Sequence, residues 1–219
     1  PYTGNGSTQS ITGVGFQPDF VWIKDRTNTY DNAVFDAIRG ATKRIVTNSG
    51  NGETTASTDL TSFESDGFNL GAGSNVNNNS NNFVSWNWKM NGAGSSNSDG
   101  SVTSTVSVNS TSKMSIVKWT GTGSAATIGH GLGGTPDYII VKCLDSGENW
   151  VVWSNALAAN KFLRLSTTAA VATDTAVWNN TLPTSTVFSV SNDNTTNKSG
   201  AGMIAYCFRD VKGFSKFGK

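Results

Sequence analysis

The chain has 219 residues, of which 36% are hydrophobic and only 14% charged, with a formal net charge of +1. The charged share lies well below the roughly 25% of an average soluble protein. The near-neutral balance leaves no basic footprint for nucleic acid, since Lys43 and Arg44 form an isolated basic pair. No stretch of about 18 apolar residues is present and no charged start leads into an apolar run, which excludes a membrane span and a retained signal peptide in this sequence. Asn, Ser, Thr and Gly fill the difference, a neutral polar surface that suits an extracellular or virion-exposed protein.

The first strand signal is at 20–24, a run of β-branched and aromatic residues entered through Pro18 and Asp19. Gly13 and Gly15 precede it and serve turns with positive φ; a phosphate-cradling loop would need a helix to follow, and a strand follows instead. Over 32–44, Val34, Phe35, Ile38 and Ile45 approach one helical face, weakened by Gly40, and this is the single short helix expected. A strand over 83–89 places Trp86 and Trp88 on one face, expected as core bulk. Residues 91–99, NGAGSSNSD, have linker composition, and 102–108 alternate as a connector strand. Further strands are predicted at 114–119, 138–143, 150–153, 162–165, 187–190 and 203–208.

The start of the chain recurs within it. Residues 2–24, YTGNGSTQSITGVGFQPDFVWIK, return at 119–142 as WTGTGSAATIGHGLGGTPDYIIVK, and the closing strand 83–89 returns at 203–209. The expectation is an all-β chain of two tandem β-sandwich units, Ig-like or jelly-roll-like, made by internal duplication and holding at most one short helix. The first unit spans 1–90, a linker and connector strand 91–112, the second unit 113–213, and a C-terminal segment 214–219.

The two copies open differently. The second is entered through the alternating run 113–118, whereas the first begins at Pro1 and so lacks its opening strand. A replacement is expected from Phe214, Phe217 and Lys219, because reading Lys219 on into Tyr2 reproduces the Lys118–Trp119–Thr120–Gly121 pattern. The alternative donor is the N-terminal segment from Pro1 to Ile11, with Tyr2 and Ile11 as its candidate residues, inserted elsewhere.

Catalytic signals are sparse. His130 is the single histidine and sits on a predicted turn, and no Gly-x-Ser-x-Gly accompanies it. Asp19 with Asp25, or Glu64 with Asp66, are the carboxylate pairs a glycoside hydrolase would draw on, but all lie beside turn residues. The Asn-rich stretch 75–82 and the run 192–194 match no calcium-loop spacing. Cys143 and Cys207 lie in apolar runs and read as buried thiols in preference to a disulfide. No enzyme activity, cofactor or metal is expected. Trp150 and Trp178, beside Asn149 and Asn179, are weak candidates for stacking on a carbohydrate.

The runs GFQPDFVWIK at 15–24, SFESDGFNL at 62–70, FVSWNWK at 83–89 and AYCFRDVKGFSKFG at 205–218 resemble a tandem β domain without assigned activity, found in tail-associated or fibre-like virion proteins of aquatic tailed phages. The resemblance implies a structural, non-enzymatic component located outside the cell or on a virion, and it transfers no active-site residue. Two functions follow as expectations. One is a fibre subunit that assembles with copies of itself by strand complementation, and the other is an adhesin module that binds surface glycans.

Overall fold

The structure is a computed structural model that describes residues 1–217. It is all-β and sandwich-like. The chain forms two compact units, one made of Pro1–Asn48 and Glu53–Ala93, the other of Ser49–Gly52 and Gly94 onward. The stretch 91–112 is therefore not a linker: from Gly94 it belongs to the second unit and supplies two strands of that unit's main sheet.

In the first unit the strands are β1 (Tyr2–Thr3), β2 (Gln9–Ile11), β3 (Phe20–Asp25), β4 (Ala33–Asp36), β5 (Lys43–Val46), β6 (Thr54–Thr55), β7 (Leu60–Glu64), β8 (Gly67–Leu70) and, after the one-turn helix α1 (Ser74–Asn77), β9 (Asn82–Trp88). A six-stranded sheet runs β1-β9-β3-β4-β5-β6 and a three-stranded sheet runs β2-β8-β7. The core lies between them. Val21, Ile23, Ala33, Phe35 and Phe83 of the large sheet meet Leu60, Phe68 and Leu70 of the small one, with Val76 of α1.

The second unit follows the same plan with more strands: β10 (Ser95–Asn97), β11 (Ser104–Asn109), β12 (Met114–Thr120), β13 (Ala126–Gly129), β14 (Tyr138–Cys143), β15 (Val151–Ser154), β16 (Lys161–Arg164), β17 (Ala172–Thr173), α2 (Thr175–Trp178), β18 (Val187–Val190), α3 (Asn194–Asn197) and β19 (Gly202–Phe208). Its eight-stranded sheet has the order β10-β11-β12-β19-β14-β15-β16-β17, and β13 pairs with β18. Val117, Trp119, Val141, Met203, Ala205 and Cys207 of the large sheet pack with Ile128, Phe188 and Val190 of the small one.

Two further expectations are corrected. The described residues contain three four-residue helices, and none coincides with 32–44, which forms β4, a turn and β5. Ala33 and Phe35 enter the core, while Val34 pairs with Ile45 across the hairpin, so the apolar positions serve two sheet strands and not one helical face. The buried Arg39 closes the turn: its Nε donates to Asp36 Oδ2 at 2.5 Å, and its two Nη groups donate to Lys43 O and Val34 O.

The duplicated Thr-Gly-x-Gly signature has a physical role. Asn77 and Asn197, each the last residue of its helical turn and fully buried, donate from Nδ2 to loop oxygens on Ser7 and Gly71 in one unit and on Ser124 and Ser191 in the other. Their Oδ1 atoms accept from Asn5 N and Thr122 N at 2.9 Å. Gly4 and Gly121 lie so close to these turns that an added Cβ would come within 2.2 and 2.1 Å of the Asn78 and Lys198 carbonyl oxygens. Asp19 and Asp137 likewise repeat one task, each accepting a backbone N–H from just beyond the closing strand, Met90 N and Asp210 N, at 2.8 Å.

Candidate strand-acceptor groove

The duplication locates an open sheet edge. In the second unit β12 covers one whole side of β19, in the register Met114↔Phe208, Ser115↔Cys207, Ile116↔Tyr206, Val117↔Ala205 and Lys118↔Ile204, ending with Trp119↔Met203 and Thr120↔Gly202. In the first unit only the last two pairs exist, Tyr2↔Phe83 and Thr3↔Asn82. On that side β9 has no strand partner from Val84 to Trp88 among the described residues, whereas its other side is fully paired with β3.

A groove of about 520 Å³ runs beside this edge. Ser85, Trp86 and Asn87 form one wall, Tyr2 a second, and the segment that follows β2, including Val14 and Phe16, a third. That last wall is held by Asp66, whose carboxylate accepts from Gly13 N at 3.0 Å and Gly15 N at 2.6 Å. Gly13 and Gly15 adopt φ of 82° and 84°, which only glycine reaches freely. The two backbone bonds, Gly15 first, hold the Asp66 carboxyl below its ordinary value.

Tyr2 is fixed at the rim by stacking on Phe83, with ring centroids 5.2 Å apart, and by donating its hydroxyl to Val76 O at 2.6 Å. Burial, and after it the carboxylates of Asp25 and Asp59, pushes its phenol well above the ordinary value, so it stays a donor. Within the groove, Asn87 donates from Nδ2 to Ser85 Oγ, but its buried Oδ1 has no hydrogen-bond partner. Such an orphaned acceptor costs about 1–3 kcal/mol unless a donor reaches it. Trp86, expected in the core, is 47% exposed and meets Trp22 edge-on at 6.3 Å.

The full length, residues 1–219, matches the family described as a domain of unknown function, DUF7483. The chain belongs to this family. No curated protein and no solved structure matches it.

The sequence-predicted site residues of this DUF7483 chain lie as follows. Tyr2 and Ile11 are each paired inside their own unit, Tyr2 with Phe83 and Ile11 with Phe68, and both line the groove. Phe214 is 68% exposed. Phe217 packs at 6.1 Å on Tyr138 and 5.2 Å on Phe208. Its backbone N donates to Asp210 Oδ1 at 2.8 Å, and Asp210 Oδ2 pairs with Lys216 Nζ. Lys219 lies outside the described residues.

Trp150 and Trp178 offer no sugar platform. Trp150 is 1% exposed and stacks on Tyr206, and Trp178 is 3% exposed within the core of the second unit. An indole closed in on its faces by other side chains has no face left for a pyranose ring. Cys143 and Cys207 are free and buried, and burial raises the Cys207 thiol far above its usual range. His130 is fully buried, with Nε2 3.3 Å from Thr184 O and Nδ1 accepting from Leu132 N; burial lowers its pKa. No group of three or more His, Cys, Asp or Glu among the described residues is placed to hold a metal.

Reading the residue types alone missed Asn87 and Phe16, and weighed Asp66 as half of a carboxylate pair without its bonds to Gly13 and Gly15. The available signal for Asn87 was the duplication, because a polar amide stands there where the second copy has Cys207. A second buried polar group, Lys142, donates its ammonium to the carbonyls of Gly50, Cys143, Ser146 and Glu148 at 2.7–3.3 Å, and burial lowers its pKa to about 8. Its counterpart in the first copy, Lys24, makes one such bond, to Tyr30 O.

Proposed function

We propose that the protein is a non-enzymatic structural subunit of an extracellular fibre or virion appendage, and that its copies assemble when an extended segment of one completes the open β9 edge of the next. The observation that carries this reading is the unpaired run Val84 to Trp88 beside a groove, at the position β12 fills in the second unit. An unpaired edge is a template for an added strand, which brings main-chain hydrogen bonds together with pockets for alternate side chains. The donor is the C-terminal arm that begins at Phe214. Acceptor and donor are then different surfaces, and such heterologous contacts generate rings or open filaments. The low charge and the Asn-, Ser-, Thr- and Gly-rich composition support a place outside the cell or on a virion.

Sedimentation and negative-stain electron microscopy of residues 1–219 test it. Rings or filaments are expected, and deletion of residues 214–219 is expected to abolish them. Assembly unchanged by the deletion refutes the C-terminal arm as donor, and a monomer at hundreds of micromolar refutes strand-mediated assembly altogether.

A glycan-binding adhesin module is the second reading. It is favoured by Trp86, the one exposed tryptophan among the described residues, which shares the groove with Tyr2, Phe16 and Asn87. A glycan array read against Trp86→Ala tests it: binding that this substitution removes supports the adhesin, and binding indifferent to it counts against.

A further inference from the structure

A second hollow lies wholly within the second unit, where the two copies of the fold diverge. In the first unit β8 is paired by β2 on one side and by β7 on the other. In the second, β18 pairs with β13 alone among the described residues, and α2 with the loop 179–186 stands directly before it in the chain, where the first copy has β7. The exchange leaves a void whose walls include Trp153, Trp178, Phe188 and Pro183, too narrow to hold a water molecule. Trp153 and Pro183 also border an open groove of about 400 Å³, walled further by Leu157 and Leu182.

Trp153 and Trp178 are 5% and 3% exposed, and neither indole N–H has a hydrogen-bond partner. A buried donor left unpaired costs about 1–3 kcal/mol. Two such donors belong to side chains that line one void, and no water fits there to relieve them. The fold does not itself demand a donor at this place. Trp153 stands opposite Ile139 as Phe35 stands opposite Val21, and Phe35 fills the core of the first unit with no polar side-chain atom.

We infer that groove and void together bind a small neutral molecule that carries a carbonyl oxygen on an alkyl chain. The carbonyl passes Pro183 and accepts from the indoles of Trp153 and Trp178, while the chain lies along Leu157 and the 53% exposed Leu182. An acceptor is required because an indole N–H only donates, and one carbonyl oxygen has lone pairs for two donors. A carboxylate is disfavoured, since no charged residue among those described lines either space to offset its loss of water. The ligand meets the N–H edges of the indoles and not their faces, so the site is no stacking platform. The loop that carries Pro183 is entered through Asn179 and Asn180, both left-handed at φ 52° and 45°, and Thr181 N ties it to Trp178 O at 3.1 Å. The site lies within one chain and is independent of strand addition at β9.

Titration of methyl pentyl ketone into the isotope-labelled full chain, followed through the indole N–H signals, tests it. Saturable shifts are expected at Trp153 and Trp178, with the signals of Trp22 and Trp86 unmoved. Hexanoate, which replaces the ketone's methyl group with an anionic oxygen, is expected to bind at least about tenfold more weakly. Trp153→Phe and Trp178→Phe each remove an N–H and keep an aromatic ring, and each is expected to weaken ketone binding about fivefold. Because a core substitution also risks the fold, Leu182→Ser on the exposed loop is the second variant, expected to weaken binding about threefold with the unfolding temperature unchanged. Absence of a saturable shift at either indole, shifts spread over all the tryptophans, hexanoate bound as tightly as the ketone, or binding indifferent to these variants overturns the site.

Discussion

Tyr2 stacks on Phe83 with ring centroids 5.2 Å apart and an interplanar angle of 11°, and this pair marks where the first unit's β9 stops being covered. One residue further along, the edge is open. The stacked pair is thus both the last closed rung of the sheet and the rim of the groove, and its strength can be measured apart from assembly. Tyr2→Phe keeps the stack and removes the hydroxyl bond to Val76 O; a loss of about 1 kcal/mol is expected. Tyr2→Ala removes both and is expected to cost about 3 kcal/mol. Urea unfolding of the two variants, compared at equal slope, checks the order and the gap.

The strands were legible because they are written locally. Runs such as 138–143 and 203–208 concentrate β-branched and aromatic residues between turn residues, and β14 and β19 occupy them. The hairpin of β4 and β5 was not, because the spacing of Val34, Phe35, Ile38 and Ile45 also fits a helical face, and only the partner strands decide between the two periods. The rung at which pairing along β9 ends was legible from the duplication, because Tyr2 matches Trp119 and takes the corresponding place opposite the closing strand. The groove that flanks it was not, since its third wall depends on Asp66 reaching Gly13 and Gly15 across more than 50 positions in sequence. Exposure of the tryptophans was misjudged for a related reason. A neighbouring Asn says nothing about which sheet face is covered, and so Trp86 is open while Trp150 and Trp178 are closed.

The groove wall should respond to acid. Asp66 has a folded-state pKa below its ordinary value of 3.8, so it binds its proton less readily in the folded state than in the unfolded one. Its contribution is therefore complete above 3.8 and is lost as the pH falls through the lowered folded value. The amide signals of Gly13 and Gly15 are expected to titrate together with a midpoint below 3.8, and Asp66→Asn is expected to abolish that transition in both. Independent titration of the two amides would separate them from the shared carboxylate.

Asp210 is expected to restrain assembly. It holds the arm within its own unit by accepting from Phe217 N and pairing with Lys216, which keeps its carboxyl below the ordinary range, with the Lys216 contact the larger cause. Asp210→Asn weakens both contacts without changing the length or the apolar residues of the arm. Light scattering after dilution into assembly conditions should show a rate several-fold above wild type. An unchanged rate would mean that leaving Asp210 does not limit donation.

The buried asparagines set a symmetric test of the duplicated fold. Asn197 Nδ2 donates to Thr122 Oγ1, Ser124 O and Ser191 O at 2.7–2.9 Å while its Oδ1 accepts from Thr122 N, and Asn77 repeats the arrangement in the first unit. Removing either fully buried amide breaks several part-buried hydrogen bonds at once, so Asn77→Ala and Asn197→Ala are each expected to cost about 2–3 kcal/mol. Asn197→Asp should be worse than Asn197→Ala near neutral pH, because a carboxylate turned toward carbonyl oxygens adds repulsion to the lost donors. The adjoining glycines separate this polar effect from packing. Gly4→Ala and Gly121→Ala keep every asparagine bond but drive a Cβ to within about 2 Å of a backbone oxygen, which cannot rotate away as a side chain would. Each should cost at least about 2 kcal/mol. Gly13→Ala, at φ 82° with nothing within 4 Å of the added carbon, should cost only the backbone penalty of about 1–2 kcal/mol. Thermal unfolding of the series should rank Gly13→Ala as the mildest; a larger loss there than at Gly4 would mean that the Thr-Gly-x-Gly loop does not pack as closely on the helical turn as its spacing requires.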